Sequence, residues 1–175
     1  MTGTLAISFT ASRDLDKGGQ EVILNVLHTG IPLAAQYITG GARGGDAFIG
    51  RWLFGHRPEA EHIVVLPADR SQIDPWWEAV PVGTGVDLYV IEMRPGTTYR
   101  DRNAELVRLG TAVCAFPACE EDDPCSRRSG TWQTARMARK AGKLCRWDLV
   151  KFPFTGRIEK PLGEFMAGMP GSGHG

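Results

Sequence analysis

The chain has 175 residues, with 20 Lys+Arg against 20 Asp+Glu, and is 42 % hydrophobic and 23 % charged. Those values exclude wholesale disorder and fibrous repeats, and at about 100–200 residues per domain they predict one main folded unit. A zero net charge excludes a protein that coats polyanions over its whole surface but leaves room for a local basic patch.

Residues 1–14, MTGTLAISFTASRD, have no basic segment ahead of their short apolar stretch, so no signal peptide is expected. Leu5–Phe9 reads as a strand that runs into the polar loop Thr10–Asp14. After Gly18-Gly19 a helical stripe carries Val22, Ile23, Val26 and Leu27, with Gly30 and Pro32 as its stop. Tyr37–Thr39 is a brief strand leading into GGARGGD at 40–46. A second helix follows, with Phe48, Ile49, Trp52 and Leu53 on one face. His62–Leu66 reads as a buried strand, residues 70–85 as an irregular excursion, and Val86–Met93 as a further strand or an extended edge. Tyr99–Leu109 is a helix ended by Gly110, and Thr111–Phe116 is a strand. Ser129–Ala141 is a helix, with Ser129 as N-cap and Gly142 as C-cap. Leu144–Leu149 is the last strand. Residues 151–175 read as a C-terminal extension that is disordered at its end. Alternating strands and helices predict an α/β, Rossmann-like three-layer domain over residues 1–150 with a mostly parallel sheet. No apolar run approaches the roughly 18–20 residues of a spanning helix, so no membrane association is expected.

Glycine is in excess, at 22 residues or about 13 %, against a usual share of about 7 %. Much of the excess falls in loops at strand ends, where the ligands of open α/β sheets bind. Gly40, Gly41 and Gly44 open a helix together with Arg43. A glycine-rich helix start uncovers backbone N–H groups and adds partial positive charge, which suits phosphate. Asp46 reads first as the cap of that helix and second as a ligand contact. Ser129, Gly130 and Thr131 open a later helix in the same way, with the Thr131 hydroxyl as an extra donor and Thr134 one turn on. Between the two loops, Arg102 and Asn103 stand near a helix start, in reach of a ribose or phosphate. Thr10, Ser12 and Arg13 complete the set from the first strand end.

The four cysteines are Cys114, Cys119, Cys125 and Cys145. With no secretory signal expected, they predict reduced thiols in a cytoplasmic protein, with a loop disulfide or a metal at Cys119 and Cys125 as the lesser alternative. Cys119 and Cys125 are spaced wrongly for a zinc knuckle and no histidine lies near, so neither a metal nor a cofactor is expected.

TASRD, then GGARGGD opening a helix, then Arg102-Asn103, then SGTWQTARMA together resemble the SLOG superfamily. That group joins the DNA-processing proteins of natural transformation (DprA, also called Smf) and the Lonely Guy phosphoribohydrolases. RRSGTWQTARMARKAGK is particularly similar to the DprA signature, and ITGGARGGD to the glycine loop of both branches. The resemblance implies a nucleotide or nucleotide-derived ligand, such as a nucleotide sugar, at the strand ends, and is compatible with a homo-oligomer. The first expectation is a protein that binds or senses such a ligand. The second is an N-glycosidase acting on nucleoside monophosphates. The Lonely Guy motif places a supporting Glu where this chain has Gln133-Thr134, leaving Glu105 or the acidic loop Glu120–Asp123 to supply the carboxylate. The third is a single-stranded DNA-binding recombination module. Its contacts would come from Arg136, Arg139, Lys140 and Lys143 on the last helix, flanked by Arg127, Arg128, Arg146 and Lys151, with Trp132 and Trp147 available for stacking.

Overall fold

A computed structural model describes residues 4–80 and 85–150, so the extension predicted at 151–175 lies outside the described residues. The strands are β1 (Ala6–Ala11), β2 (Gln36–Thr39), β3 (Glu61–Leu66), β4 (Leu88–Glu92), β5 (Ala112–Phe116) and β6 (Leu144–Trp147). The helices are α1 (Lys17–Thr29), α2 (Gly45–His56), the single turn α3 (Trp76–Ala79), α4 (Tyr99–Leu109) and α5 (Gly130–Lys140). The strands form one sheet in the order β4-β3-β2-β1-β5-β6, with every neighbouring pair parallel. The excursion at 70–85 has structure within it, a 3-10 turn at Arg70–Gln72 and then α3. Val86–Met93 resolves into β4, an edge strand whose Tyr89 and Val90 are exposed.

Local chemistry explains the helix ends. Asp16 accepts from the Gly19 N–H at 2.7 Å and caps α1. Thr98 and Asp101 form a reciprocal capping box at the start of α4. Ser129 caps α5 as predicted, its Oγ accepting from the Trp132 N–H at 3.2 Å. At the other end of α5 the C-cap is Ala141 rather than Gly142. Gly142 sits one residue further on, at φ +70°, the left-handed position where glycine avoids a Cβ clash.

Apolar alternation on a fully buried sheet requires cover on both faces. On one face Ile7, Phe9 and Phe116 pack with Ile23 and Leu27 of α1 and Ile49 and Leu53 of α2. On the other, Ala6, Ile38 and Val65 pack with Leu106 of α4, and Ala115 packs with Trp132 and Ala135 of α5. The chain winds outward from β1 to β4, then crosses back so that β5 lies on the other side of β1. That reversal leaves a crevice beyond the carboxyl ends of β1 and β5.

His62 on β3 is buried, and its Nε2 lies 2.8 Å from the Arg57 carbonyl. Burial holds its pKa below the ordinary 6.5. The unfolded chain therefore binds the proton first, and the stability contributed by neutral His62 is full above about pH 6.5 and lost as pH falls below it. Urea midpoints are expected to drop between pH 7.5 and 5.5, and His62→Gln to flatten that drop.

Candidate functional site

The crevice is a cleft of about 460 Å³, lined by loops at the ends of β1, β2 and β5 and by the starts of α4 and α5. Of the residues singled out in the sequence it gathers Thr10, Ser12, Arg13, Arg43, Asp46, Arg102, Ser129, Gly130 and Thr131. Gly40, Gly41, Gly44, Asn103, Thr134 and Glu105 lie outside its lining.

A buried ion pair forms its floor. Arg102 Nη1 donates to Asp46 Oδ2 at 2.7 Å, and both side chains are almost wholly buried. The same nitrogen donates to the Gly40 carbonyl at 3.2 Å, while Asp46 Oδ1 accepts from the Ala11 N–H at 2.8 Å. The ion pair thus ties together the ends of β1 and β2 and the first turn of α4. This corrects the reading of Asp46 as a helix cap: Gly44 is the N-cap of α2 and no side chain caps it. Gly40 is glycine for the same reason, since a Cβ there would lie 1.7 Å from Arg102 Nη1.

The glycine loop at 40–46 is partly occupied by protein. The Gly45 N–H donates to the Ser12 carbonyl at 3.0 Å, and the Arg43 N–H to the Gln72 carbonyl at 3.0 Å. Gly44, at φ +89°, would place a Cβ 2.1 Å from the Arg13 carbonyl, and Gly41, at φ +58°, would place one 2.5 Å from Leu66. The close approach that requires these glycines is made by the loop after β1 and by β3. Gly44→Val is therefore a change to the fold and cannot isolate a ligand contact.

The start of α5 is different. Trp132 N–H is used by the Ser129 cap, but the Gly130 and Thr131 N–H groups and the Thr131 hydroxyl have no protein partner among the described residues. Gly130 is exposed, and a Cβ there would meet only Asn103 Nδ2, at an ordinary 3.4 Å. Neither packing nor a positive φ requires that glycine. Asn103 stands behind it, donating to the Gly130 carbonyl at 3.2 Å and to Gln133 Oε1 at 3.4 Å. Thr134 is buried and donates to the Gly130 carbonyl at 2.9 Å. Both brace the helix start from within.

Four arginines rim the cleft: Arg13, Arg43, Arg127 and Arg128. Arg13 donates to the Tyr99 hydroxyl at 3.0 Å and lies over the Tyr99 ring, with Arg102 on the same ring at 5.1 Å. Arg43 donates to the Ile73 carbonyl at 3.2 Å. Arg127 and Arg128 are exposed and have no protein partner among the described residues. Sequence spacing groups these two with the α5 basic face and does not single out Tyr99. Their position immediately before the Ser129 cap is the signal that assigns them to the cleft.

The basic face of α5 is mostly committed elsewhere. Arg136 and Arg139 both pair with Glu121, and Arg136 also holds Ser126 through its carbonyl and its hydroxyl. Lys143 donates to the Val107, Arg108 and Gly110 carbonyls at the end of α4, and Arg146 pairs with Asp148 at 2.8 Å. Trp132 is fully buried, its Nε1 donating to the Cys119 carbonyl at 2.7 Å, so it is core and offers no stacking face. The carboxylate candidates are equally committed. Glu105 is held by Arg108 on the outside of α4, at 2.6 Å and 2.8 Å, which also lowers its pKa. Glu121 is lowered by Arg139 and then Arg136. The carboxylates that do line the cleft are Asp46, neutralised by Arg102, and Asp14, which is exposed.

The cysteines depart from expectation as well. Cys119 and Cys125 are joined as a disulfide, with Cα atoms 6.7 Å apart, while Cys114 and Cys145 are free. The 3-10 turn Pro124–Arg127, capped by Asp123 on the Cys125 N–H at 2.8 Å, folds the loop back so that the two side chains meet.

No protein-family model matches the chain, and no curated protein matches it in sequence. Its fold is similar to that of DNA processing protein A (DprA) from Streptococcus pneumoniae, with a TM-score of 0.62 at 18 % identity over 93 % of this chain and 54 % of that one. It is also similar to DNA processing protein A from Helicobacter pylori, in a structure described as giving insights into that protein's single-stranded DNA binding mode. There the TM-score is 0.57 at 17 % identity, over 82 % of this chain and 65 % of the other. The chain thus spans less than two thirds of either protein's length. Among the described residues no helix is long and apolar enough to cross a membrane. The described residues adopt a DprA-like, Rossmann-like α/β fold with an all-parallel six-stranded sheet.

Proposed function

We propose that the cleft binds the phosphates of nucleotide units, and that its ligand is a single strand of nucleic acid. The observation that carries this reading is one of charge. Arg13, Arg43, Arg127 and Arg128 come from three loops to one cleft, beside two open helix N–H groups. The buried carboxylate there is already neutralised by Arg102. One phosphate monoester carries about −1.5 to −2, so four guanidinium groups, less the single charge of Asp14, still exceed what a free mononucleotide neutralises and suit successive phosphodiesters. Tyr99 orients the Arg13 guanidinium at the rim through its hydroxyl and its ring. The fold-level likeness to a DprA studied for single-stranded DNA binding supports the same choice.

The test is fluorescence anisotropy with a labelled thymidine oligonucleotide across a salt series. Three or four neutralised phosphates give a log–log slope of about −2 to −3 on a single strand. Nucleoside monophosphates are expected to compete only at much higher concentration. Displacement of the strand by equimolar monophosphate would restore the mononucleotide reading.

Asp14 favours one other reading, an N-glycosidase, because its carboxylate is exposed in the cleft. Prolonged incubation with nucleoside monophosphates, following free base by chromatography, is the check. Turnover that Asp14→Asn abolishes would put that carboxylate beside the ribose.

A further inference from the structure

The Cys119–Cys125 bond lies in the wall of the cleft, between β5 and the start of α5. Its two ends differ. Cys119 is buried, and its carbonyl is fixed by Trp132 Nε1 at 2.7 Å. Cys125 is exposed, in a 3-10 turn that runs through Arg127 to Arg128 and the Ser129 cap of α5. The bond closes a loop with a sequence separation of only 6. So short a loop removes little chain entropy from the unfolded state compared with a long-range bridge. The two main layers of the core pack on other residues. The disulfide is therefore placed to control local geometry, and the fold has other supports.

From this asymmetry we propose that Cys119 and Cys125 are an exchangeable redox pair, and that their oxidation state sets the affinity of the cleft for its ligand. An external thiolate reaches the exposed Cys125 sulfur, forms a mixed disulfide there, and displaces the Cys119 thiolate, which takes up a proton. A second external thiolate then attacks the external sulfur of the mixed disulfide. That step releases Cys125 as a thiolate, likewise protonated, and leaves the reductant as its own disulfide. Two external thiols are oxidised and the protein gains two thiols, so atoms and electrons balance. Access limits the first attack to Cys125, because Cys119 is covered by α5.

The consequence reaches the ligand through two neighbours. In the oxidised protein the bond holds the 124–127 turn against the end of β5, so that Arg127 and Arg128 line the cleft. Once the bond opens, Arg136 still holds Ser126 on the far side of the turn, and Arg136 and Arg139 still hold Glu121, so the loop keeps these anchors. The reduced cleft therefore binds more weakly without being abolished. Loosening one or two charge-assisted hydrogen bonds corresponds to an affinity decrease of about tenfold.

The affinity part of this inference rests on phosphate-bearing strands being the ligand, and the experiment separates the two claims. Under denaturing alkylation, the air-exposed protein is expected to show two reactive thiols, and four after a dithiol reductant. Titration in a dithiol/disulfide buffer is expected to convert one state to the other reversibly. Thymidine-oligonucleotide anisotropy is then run on both states and on Cys125→Ser. About tenfold weaker binding is expected for the reduced protein and for Cys125→Ser, with the variant indifferent to reductant. Cys114→Ser is expected to keep the redox dependence. Four free thiols after exposure to a mild oxidant would overturn the redox pair, whether or not DNA binds. Equal affinity of the two states would overturn the coupling. Failure of both states to bind any strand, with the thiol count as expected, would remove the strand-binding reading and the coupling built on it while leaving the exchangeable pair standing.

Discussion

Asp46→Ala is expected to cost about 3–5 kcal/mol of stability, the range for removing one partner of a buried ion pair. Two groups lose their partner at once, and a third is left with an unanchored one. Arg102 is left as a buried, uncompensated guanidinium, 5 % exposed, and its Nε already has no hydrogen-bond partner. The Ala11 N–H at the end of β1 loses its acceptor. The Gly40 carbonyl keeps only an arginine that no longer has a counter-ion to fix it. The total is a large share of the roughly 5–15 kcal/mol that holds a typical domain. Arg102→Met is expected to cost less, because Asp46 keeps the Ala11 N–H as a donor whereas Asp46→Ala leaves the Arg102 guanidinium with only the Gly40 carbonyl. The pair Asp46→Leu/Arg102→Met is expected to lie closer to the wild type than Asp46→Ala, since it leaves no charge buried. Urea unfolding at pH 7 ranks the three variants. An Asp46→Ala protein within about 1 kcal/mol of the wild type would show that the pair does not join the strand ends.

How far the sequence reaches depends on whether a feature is local. The bounds of α4 are legible at both ends because the cues lie within the segment, a Thr98/Asp101 box at the start and Gly110 at the end. The cap at Ser129 is legible for the same reason. The parallel sheet follows from alternation of strand and helix, which survives uncertainty at any single boundary. The glycine loop at 40–46 shows where local reading stops. Glycines that admit a phosphate and glycines that admit another loop look alike, and here the arriving backbone comes from Ser12 and Arg13, some thirty residues earlier. The basic face of α5 is a second case. Helical spacing correctly puts Arg136 and Arg139 on one face, but nothing in it announces that Glu121 meets both. The disulfide ranks second in a sequence reading because compartment reasoning argues against it, while the 3-10 turn that brings Cys125 back to Cys119 is set by Asp123 and Pro124.

The double variant Arg127→Ala/Arg128→Ala is expected to weaken strand binding by about 10²-fold or more, at about 1.5–3 kcal/mol for each charge-assisted hydrogen bond removed, and to leave the fold intact. Both side chains are exposed and neither has a protein partner among the described residues, so their removal strips only the cleft. The salt slope is expected to fall by about 0.7 for each phosphate no longer neutralised, hence by about 1.4 for the pair. Arg136→Ala makes the contrast, because that residue clamps Ser126 and Glu121. It is expected to lower stability and, at temperatures where the protein stays folded with the Cys119–Cys125 bond closed, to reduce the slope less than the double variant does. Gly130→Val tests the open helix start separately. Its Cβ meets only Asn103 Nδ2, at an ordinary 3.4 Å, so folding is expected to be spared apart from a small loss for a β-branched residue in a first turn, while the added bulk is expected to hinder a phosphate approaching the Gly130 and Thr131 N–H groups. Loss of binding in Gly130→Val with an unchanged melting curve would place the phosphate at the start of α5. Unchanged binding in both this variant and the double arginine variant would move the ligand off the cleft altogether.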